Sequence, residues 1–139
     1  MEFPQHFTLA ELTYSGTGLR RGLANNPNDE QVANLWRLCA VLLEPIRALL
    51  GVPMHVNSGF RSPAVNAAVG GKANSAHLDG RACDFVPIGM SLAHAVDLIH
   101  GSGLPFDQLI LEYDAWIHVA VERTGSNPRG QVLKIGGAV

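Results

Sequence analysis

The sequence predicts an α+β fold in which helices pack on a small antiparallel sheet. Three observations carry this expectation. Apolar residues recur at helical spacing from Asp29 to Leu50, short extended patterns cluster from Phe106 onward, and turn-forming residues punctuate the stretches between them. No internal repeat, low-complexity tract or long linker interrupts the 139 residues, so a single domain spanning 1–139 is expected.

The opening stretch, Phe7 to Asn28, is rich in turn formers: Ser15-Gly16-Thr17-Gly18 and Asn25-Asn26-Pro27-Asn28. It is expected to wrap the surface, with a short helical turn around Leu9 to Leu12. From Asp29 to Leu50, Val32, Leu35, Trp36, Cys39, Leu42, Leu43, Ile46 and Leu49 mark the apolar stripe of the main core helix. Asn28 followed by Gln31 is a capping signature, and Gly51 supplies the stop. Pro45 has no N–H to donate, so it should kink or split this helix. Trp36, lying on the stripe, is expected in the core.

Met54 to Asn57 reads as a short strand leading into Ser58-Gly59-Phe60-Arg61. Ser62-Pro63 opens a short helix, Ala64 to Val69, closed by Gly70-Gly71. Ser91 caps another, with Leu92, Ala95, Val96 and Ile99 on one face and an end near Gly101. Phe106 to Glu112 and Trp116 to Val121 read as strands joined by a tight connection, and Gln131 to Ile135 as a last strand.

Composition narrows the function classes. Hydrophobic residues make up 47% and charged residues 16%, which suits a folded core and excludes disorder. Net charge is −2, the isoelectric point is about 6.3, and the ten Lys and Arg are scattered, so no nucleic-acid partner is expected. No stretch approaches the roughly 20 apolar residues of a membrane span. The first residues show no basic segment followed by an apolar run, so no secretory signal is visible. Synthesis in the cytoplasm is expected, with any extracellular substrate met after release or lysis. Cys39 and Cys83 lie outside any CxxC arrangement and read as two buried thiols rather than a disulfide.

Two stretches carry chemistry. In Ser75 to Phe85, Asp79-Gly80 predicts a two-residue type I′ hairpin. That register sets His77 opposite Ala82 and makes Asp84 its diagonal neighbour, about 7–8 Å away on one sheet face, with small Ala82 leaving room for an ion. In Gln108 to Val119, a continuous strand would hold Glu112 and His118 about 20 Å apart. If Tyr113 to Ala115 instead close a hairpin, Glu112 faces Trp116 and becomes diagonal to His118. Two histidines and one aspartate are a plausible three-ligand zinc site with water in the fourth position. A nearby carboxylate can move that water's proton. On spacing alone, a metal site and an ordinary set of core and surface residues are equally open readings. His6, His55, His94 and His100 read as structural or solvated.

Taken together, Ser58-Gly59-Phe60-Arg61-Ser62, Ser75-Ala76-His77, Gly80-Arg81-Ala82-Cys83-Asp84 and Trp116-Ile117-His118-Val119 resemble, in order, the zinc D-Ala-D-Ala carboxypeptidase family (peptidase family M15). The likeness is strongest to its compact branch common in phages. Phe7-Thr8-Leu9-Ala10-Glu11-Leu12, Asn25-Asn26-Pro27 and Val69-Gly70-Gly71 are also similar, so the resemblance covers nearly the whole chain. It implies a hedgehog/DD-peptidase-like fold, Zn2+ on His77, Asp84 and His118, and substrate contacts from Arg61 and Ser75, with Asn57 and Gln108 in support. One departure matters: many members carry the catalytic acid three residues before the last histidine, where this chain has Ala115. In the compact branch a glutamate at the position of Glu112 is typical, so Glu112 is expected to be the general base and acid, with Asp114 its rival.

The implied activity is a monomeric zinc metallopeptidase acting on stem or cross-bridge peptides of bacterial peptidoglycan. Carboxypeptidase and phage-type endolysin endopeptidase both remain open. The alternative is a non-catalytic, zinc-stabilised binding or virion structural module. Ala115 favours that alternative; Glu112, Asp114 and Arg61 disfavour it. A metal-free structural domain ranks last.

Overall fold

In the computed structural model, which describes residues 2–136, the elements are α1 (Leu9–Thr13), α2 (Gly16–Arg21), α3 (Asp29–Leu38), α4 (Glu44–Leu50), β1 (Met54–Ser58), α5 (Pro63–Ala68), β2 (Ala82–Pro87), α6 (Leu92–Gly101), β3 (Gln108–Glu112), β4 (Trp116–Ala120) and β5 (Gln131–Ile135). The strands form one sheet in the order β1-β2-β4-β3-β5, so the fold is α+β. All neighbours are antiparallel except β3 and β5, which run parallel. The exception follows from topology. β5 runs opposite to β4, but β3 sits between them, so β5 meets β3 in the same direction.

Strand periodicity divides the sheet into two faces with separate tasks. Cys83, Phe85, Leu109, Ile117 and Val119 are fully buried against Leu35, Leu38, Cys39, Leu42, Leu43 and Ile46 of the long helix and Ala95 and Ile99 of α6. Burying one such side chain as Phe85 contributes about 1.5–3 kcal/mol. The alternate residues Asp84, Gln108, Glu112, Trp116 and His118 therefore share the opposite face, away from this core.

The long helix starts as its signature predicts. Asn28 Oδ1 accepts from the Gln31 N–H and Gln31 Oε1 accepts from the Asn28 N–H, each at 2.8 Å. Pro45 does split it: a π-helical turn, Cys39–Leu43, separates α3 from α4, and the Glu44 N–H reaches back to Cys39 O. Pro45 follows closely on this wider turn, where its missing N–H withdraws one helical bond. Trp36, in contrast, is not core. It is 38% exposed and its indole donates to Glu2 O at 2.9 Å. The buried stripe is Leu35, Leu38, Cys39 and Leu42, and Trp36 lies about 100° around the helix from Leu35.

The opening stretch is more ordered than its turn formers suggest. Ser15 Oγ accepts from the Gly18 N–H at 3.0 Å and so starts α2 where a loop is expected. Phe7 and Leu12 belong to the core rather than the surface. Asn25 stitches this segment to the next: its Nδ2–H group donates to Thr13 O and Phe60 O, and its Oδ1 accepts from the Ser62 N–H. Both thiols are free and buried, and burial pushes the Cys39 thiol up to about 12.

Buried Asp107 anchors the chain leading into β5. Its oxygens accept from the Arg129 backbone N–H at 3.0 Å and from Arg129 Nε and Nη2 at 3.0 and 2.9 Å. The bonds from Arg129 hold the Asp107 carboxyl below the usual range. A depressed folded pKa contributes stability above the unfolded value, about 3.9, which is lost as pH falls through the folded one. Asp107→Asn should therefore cost on the order of 1 kcal/mol at pH 7. Thermal melts should show the gap to the parent narrowing below about pH 4.

Candidate metal centre

The sheet register assembles the site. Asp84 on β2 and His118 on β4 are direct Cα partners. On β3, Gln108 pairs with Ala120 and Glu112 with Trp116, so both are diagonal to His118 on its own face. The hairpin that closes this register has Glu112 accepting from the Ala115 N–H at 3.0 Å, with Tyr113 and Asp114 at φ 57° and 51°.

His77 arrives by a route the sequence does not announce. Asp79-Gly80 does not form a hairpin turn. Ala76–Asp79 is a 3-10 helical turn, capped by Ser75 Oγ accepting from the His77 N–H at 3.2 Å and ended by Gly80 at φ 75°. Only Gly80 takes the positive φ that a type I′ turn needs at both central positions. The Gly80 and Arg81 N–H groups bond back to His77 O and Ala76 O, so the local capping bonds outcompete a strand ladder. His77 is therefore not opposite Ala82 on a strand; it reaches the sheet face from above.

The three groups nevertheless converge. His77 Nε2 and His118 Nδ1 lie 3.1 and 2.9 Å from Asp84 Oδ1, and these residues are 2%, 7% and 7% exposed respectively. Among the described residues they form the one cluster of ligand-type side chains with donor atoms within 4.8 Å of one another. Their outer nitrogens are already assigned. His77 Nδ1 lies 2.7 Å from Gly59 O, an acceptor, so it carries the proton and leaves Nε2 with a lone pair. His118 Nε2 lies 3.2 Å from Gln108 Oε1, and the Gln108 Nε2–H group donates to Gln131 Oε1 at 2.9 Å, which fixes that amide's orientation. Two imidazole lone pairs and a carboxylate oxygen thus face one buried point. Such an arrangement calls for a cation, and two nitrogens with one oxygen fit Zn2+ with a coordination position to spare.

Electrostatics agree with the geometry. Burial raises the Asp84 pKa, but with a proton on each inward-facing imidazole nitrogen in the cation's place, the His77 charge and the bonds from both rings outweigh it and hold the carboxyl well below the usual range. Glu112 Oε1 stands 3.8 Å from His118 Nδ1, while its Oε2 accepts from Trp116 Nε1–H at 3.1 Å. Asp114 is at the hairpin tip, paired with Lys134 at 3.4 Å, and is not in the cluster. Arg61 faces Asp84 and Glu112; burial lowers its pKa and those two carboxylates raise it. Its Nη2 is 3.4 Å from Ser75 Oγ, and its buried Nε has no hydrogen-bond partner among the described residues. Arg61, Asp84, Trp116 and Asn57 line a cleft of about 300 Å³ whose far wall is Tyr14 to Thr17.

The other four histidines stand apart: His6 pairs with Glu44, and His55, His94 and His100 are exposed. Sequence reasoning missed Gly59, Gln131 and the Tyr14 wall. A backbone carbonyl acceptor leaves no residue-type signal, and Gln131 is polar on an edge strand like many others.

Residues 5–120 match the peptidase M15 family. The chain belongs to that family. It is also 35% identical over 84 residues to the zinc D-Ala-D-Ala carboxypeptidase of Streptomyces albus G, an alignment covering 59% of this chain and 31% of that protein. The M15 match spans all three ligand-type residues, Arg61 and Glu112, and stops at the end of β4.

The purified chain should take up about one Zn2+ per molecule. Asp84→Asn should abolish stoichiometric uptake while far-UV circular dichroism stays native, as read by elemental analysis after gel filtration. Full zinc content in that variant would remove Asp84 from the site.

Proposed function

We propose that the chain is a zinc-dependent peptidase that hydrolyses peptide bonds of bacterial peptidoglycan, with His77, Asp84 and His118 holding the metal. The observation that carries the reading is the placement of Glu112. Its carboxylate lies 3.8 Å from His118 Nδ1 and accepts from Trp116, which together with Asp84 lines the cleft. A purely structural zinc site is normally closed by a fourth protein ligand. Here the described donors stop at three. That favours catalysis over the binding-module reading, even with Ala115 in place of the more usual acid.

When bound, Zn2+ would acidify a water and polarise the scissile carbonyl. The chain's own residues do the rest. Trp116 holds Glu112 Oε2, leaving Oε1 toward His118 to receive a proton as the water oxygen bonds to the carbonyl carbon. Glu112 then returns the proton to the amine nitrogen as the C–N bond breaks. Arg61 lines the cleft and offers charge-assisted donors to a substrate carbonyl oxygen or carboxylate. Ser75 is occupied in capping the His77 turn and steadying Arg61. Asp114, engaged with Lys134, is the weaker candidate for proton carrier.

The relative's D-Ala-D-Ala specificity makes that linkage the first to test. A carboxypeptidase would present a terminal carboxylate to Arg61, whereas a phage-type endopeptidase would present an internal carbonyl. Mass spectrometry of purified peptidoglycan fragments, digested with and without chelator, separates these outcomes. Loss of a terminal D-Ala identifies the first and internal cleavage the second. No product under any metal loading would sink the enzyme reading. Glu112→Gln should keep its zinc and lose roughly 10²–10⁴-fold in kcat. Full turnover in that variant would transfer the role to Asp114.

A further inference from the structure

The turn that carries His77 is also gripped from behind, by groups that line neither the cleft nor the ligand cluster. Gln31 Nε2–H donates to Leu78 O at 3.2 Å, and Asn34 Nδ2–H donates to Asp79 O at 2.9 Å. Both side chains lie on α3, three residues apart and hence on one helix face, so the helix meets two successive carbonyls of the turn. These are the carbonyls that the end of a helical turn leaves without intrahelical partners. Gly80 permits the approach: at φ +75°, an added Cβ would stand 2.6 Å from Gln31 O. Arg81 closes the other side. Its Nε and Nη2 each lie 3.0 Å from Asp79 Oδ2, and its Nη1 donates to Val121 O at 2.9 Å, just past β4.

A 3-10 turn of four residues has few bonds of its own, so its attitude depends on what holds it. His77 has no strand register to fix it, unlike Asp84 and His118. We infer that Gln31 and Asn34 are positioning residues of the metal centre, holding the turn so that His77 Nε2 stays in bonding range of the other two donors. The inference rests on the metal-centre reading above.

Gln31 offers a clean test because its amide is divided between two tasks. Its Oε1 completes the helix cap while its Nε2 holds the turn. Gln31→Glu keeps the capping acceptor, and a carboxylate suits the first turn of a helix. The same change removes the donor and sets a negative charge against Leu78 O. Asn34→Asp does likewise at Asp79 O. Zn2+ affinity would be measured by competition with a chromophoric chelator, at a temperature where the metal-free chain is folded, together with the Co2+ absorption spectrum.

The double variant should bind Zn2+ about tenfold more weakly, with an altered Co2+ spectrum and native helical dichroism. Asn34→Asp alone should shift both readouts in the same direction by less. Ser91→Ala, which removes the α6 cap far from this turn, should lower the melting temperature and leave zinc affinity unchanged. A folded double variant with parental zinc affinity overturns the inference. Equal weakening by Ser91→Ala does so too, because the effect would then be general stability. Should the double variant not fold, Asn34→Asp decides by the same criterion. A parent chain that takes up no Zn2+ would overturn the metal-centre reading itself; parental uptake with unmoved variants would overturn only the positioning role.

Discussion

The structure turns on one buried oxygen. Asp84 Oδ1 sits within 3.1 Å of one nitrogen from each of two histidines that are distant along the chain. A carboxylate removed from water is costly unless it is paired, and here the partners are the imidazoles and whatever cation they share. Meeting that requirement obliges β2 to lie beside β4 and obliges the turn before β2 to lean over the sheet. Much of the tertiary arrangement can be read as the means of keeping three side chains at that point.

The division of the sheet makes this possible. One face supplies apolar packing against the long helix and α6, and the other carries Asp84, His118, Gln108 and Glu112. Because side chains alternate along a strand, each central strand contributes to stability and chemistry at once. A one-residue slip of β4 would send His118 into the core and Ile117 into the cleft, so core packing itself enforces the register of the site. The outer nitrogen of His118 is fixed by Gln108 and then Gln131, which extends the ordering across three strands to β5.

Legibility in the sequence followed the strength of the local signal. The long helix, its cap and its interruption at Pro45 were all readable, because periodicity and the missing proline N–H act within a few residues. The β3–β4 hairpin was readable through alternation, and with it the relation of Glu112 to His118. The Asp79-Gly80 dipeptide suits a hairpin, but Ser75 upstream offers a competing cap and the chain takes it. His77 and Asp84 meet all the same, because both routes bring the pair together. Periodicity assigns a stripe without showing its edges, and Trp36 falls outside the core. Ser15 suits a loop as well as a helix start, since turn residues and helix caps share the same chemistry. The parallel pairing of β5 had no local signature at all.

His77 is oriented by a main-chain oxygen, that of Gly59, rather than by a side chain. A carbonyl cannot be deleted by a point substitution, so this tether is immune to the commonest kind of genetic change. Its weak spot is steric instead. Gly59 lies so close to the end of α1 that an added Cβ would stand 2.2 Å from Leu12 O. Any residue larger than glycine must push the two segments apart and carry the tether with them. Evolution along this lineage can therefore alter the metal centre by moving a hydrophobic N-terminal segment that never touches the ion.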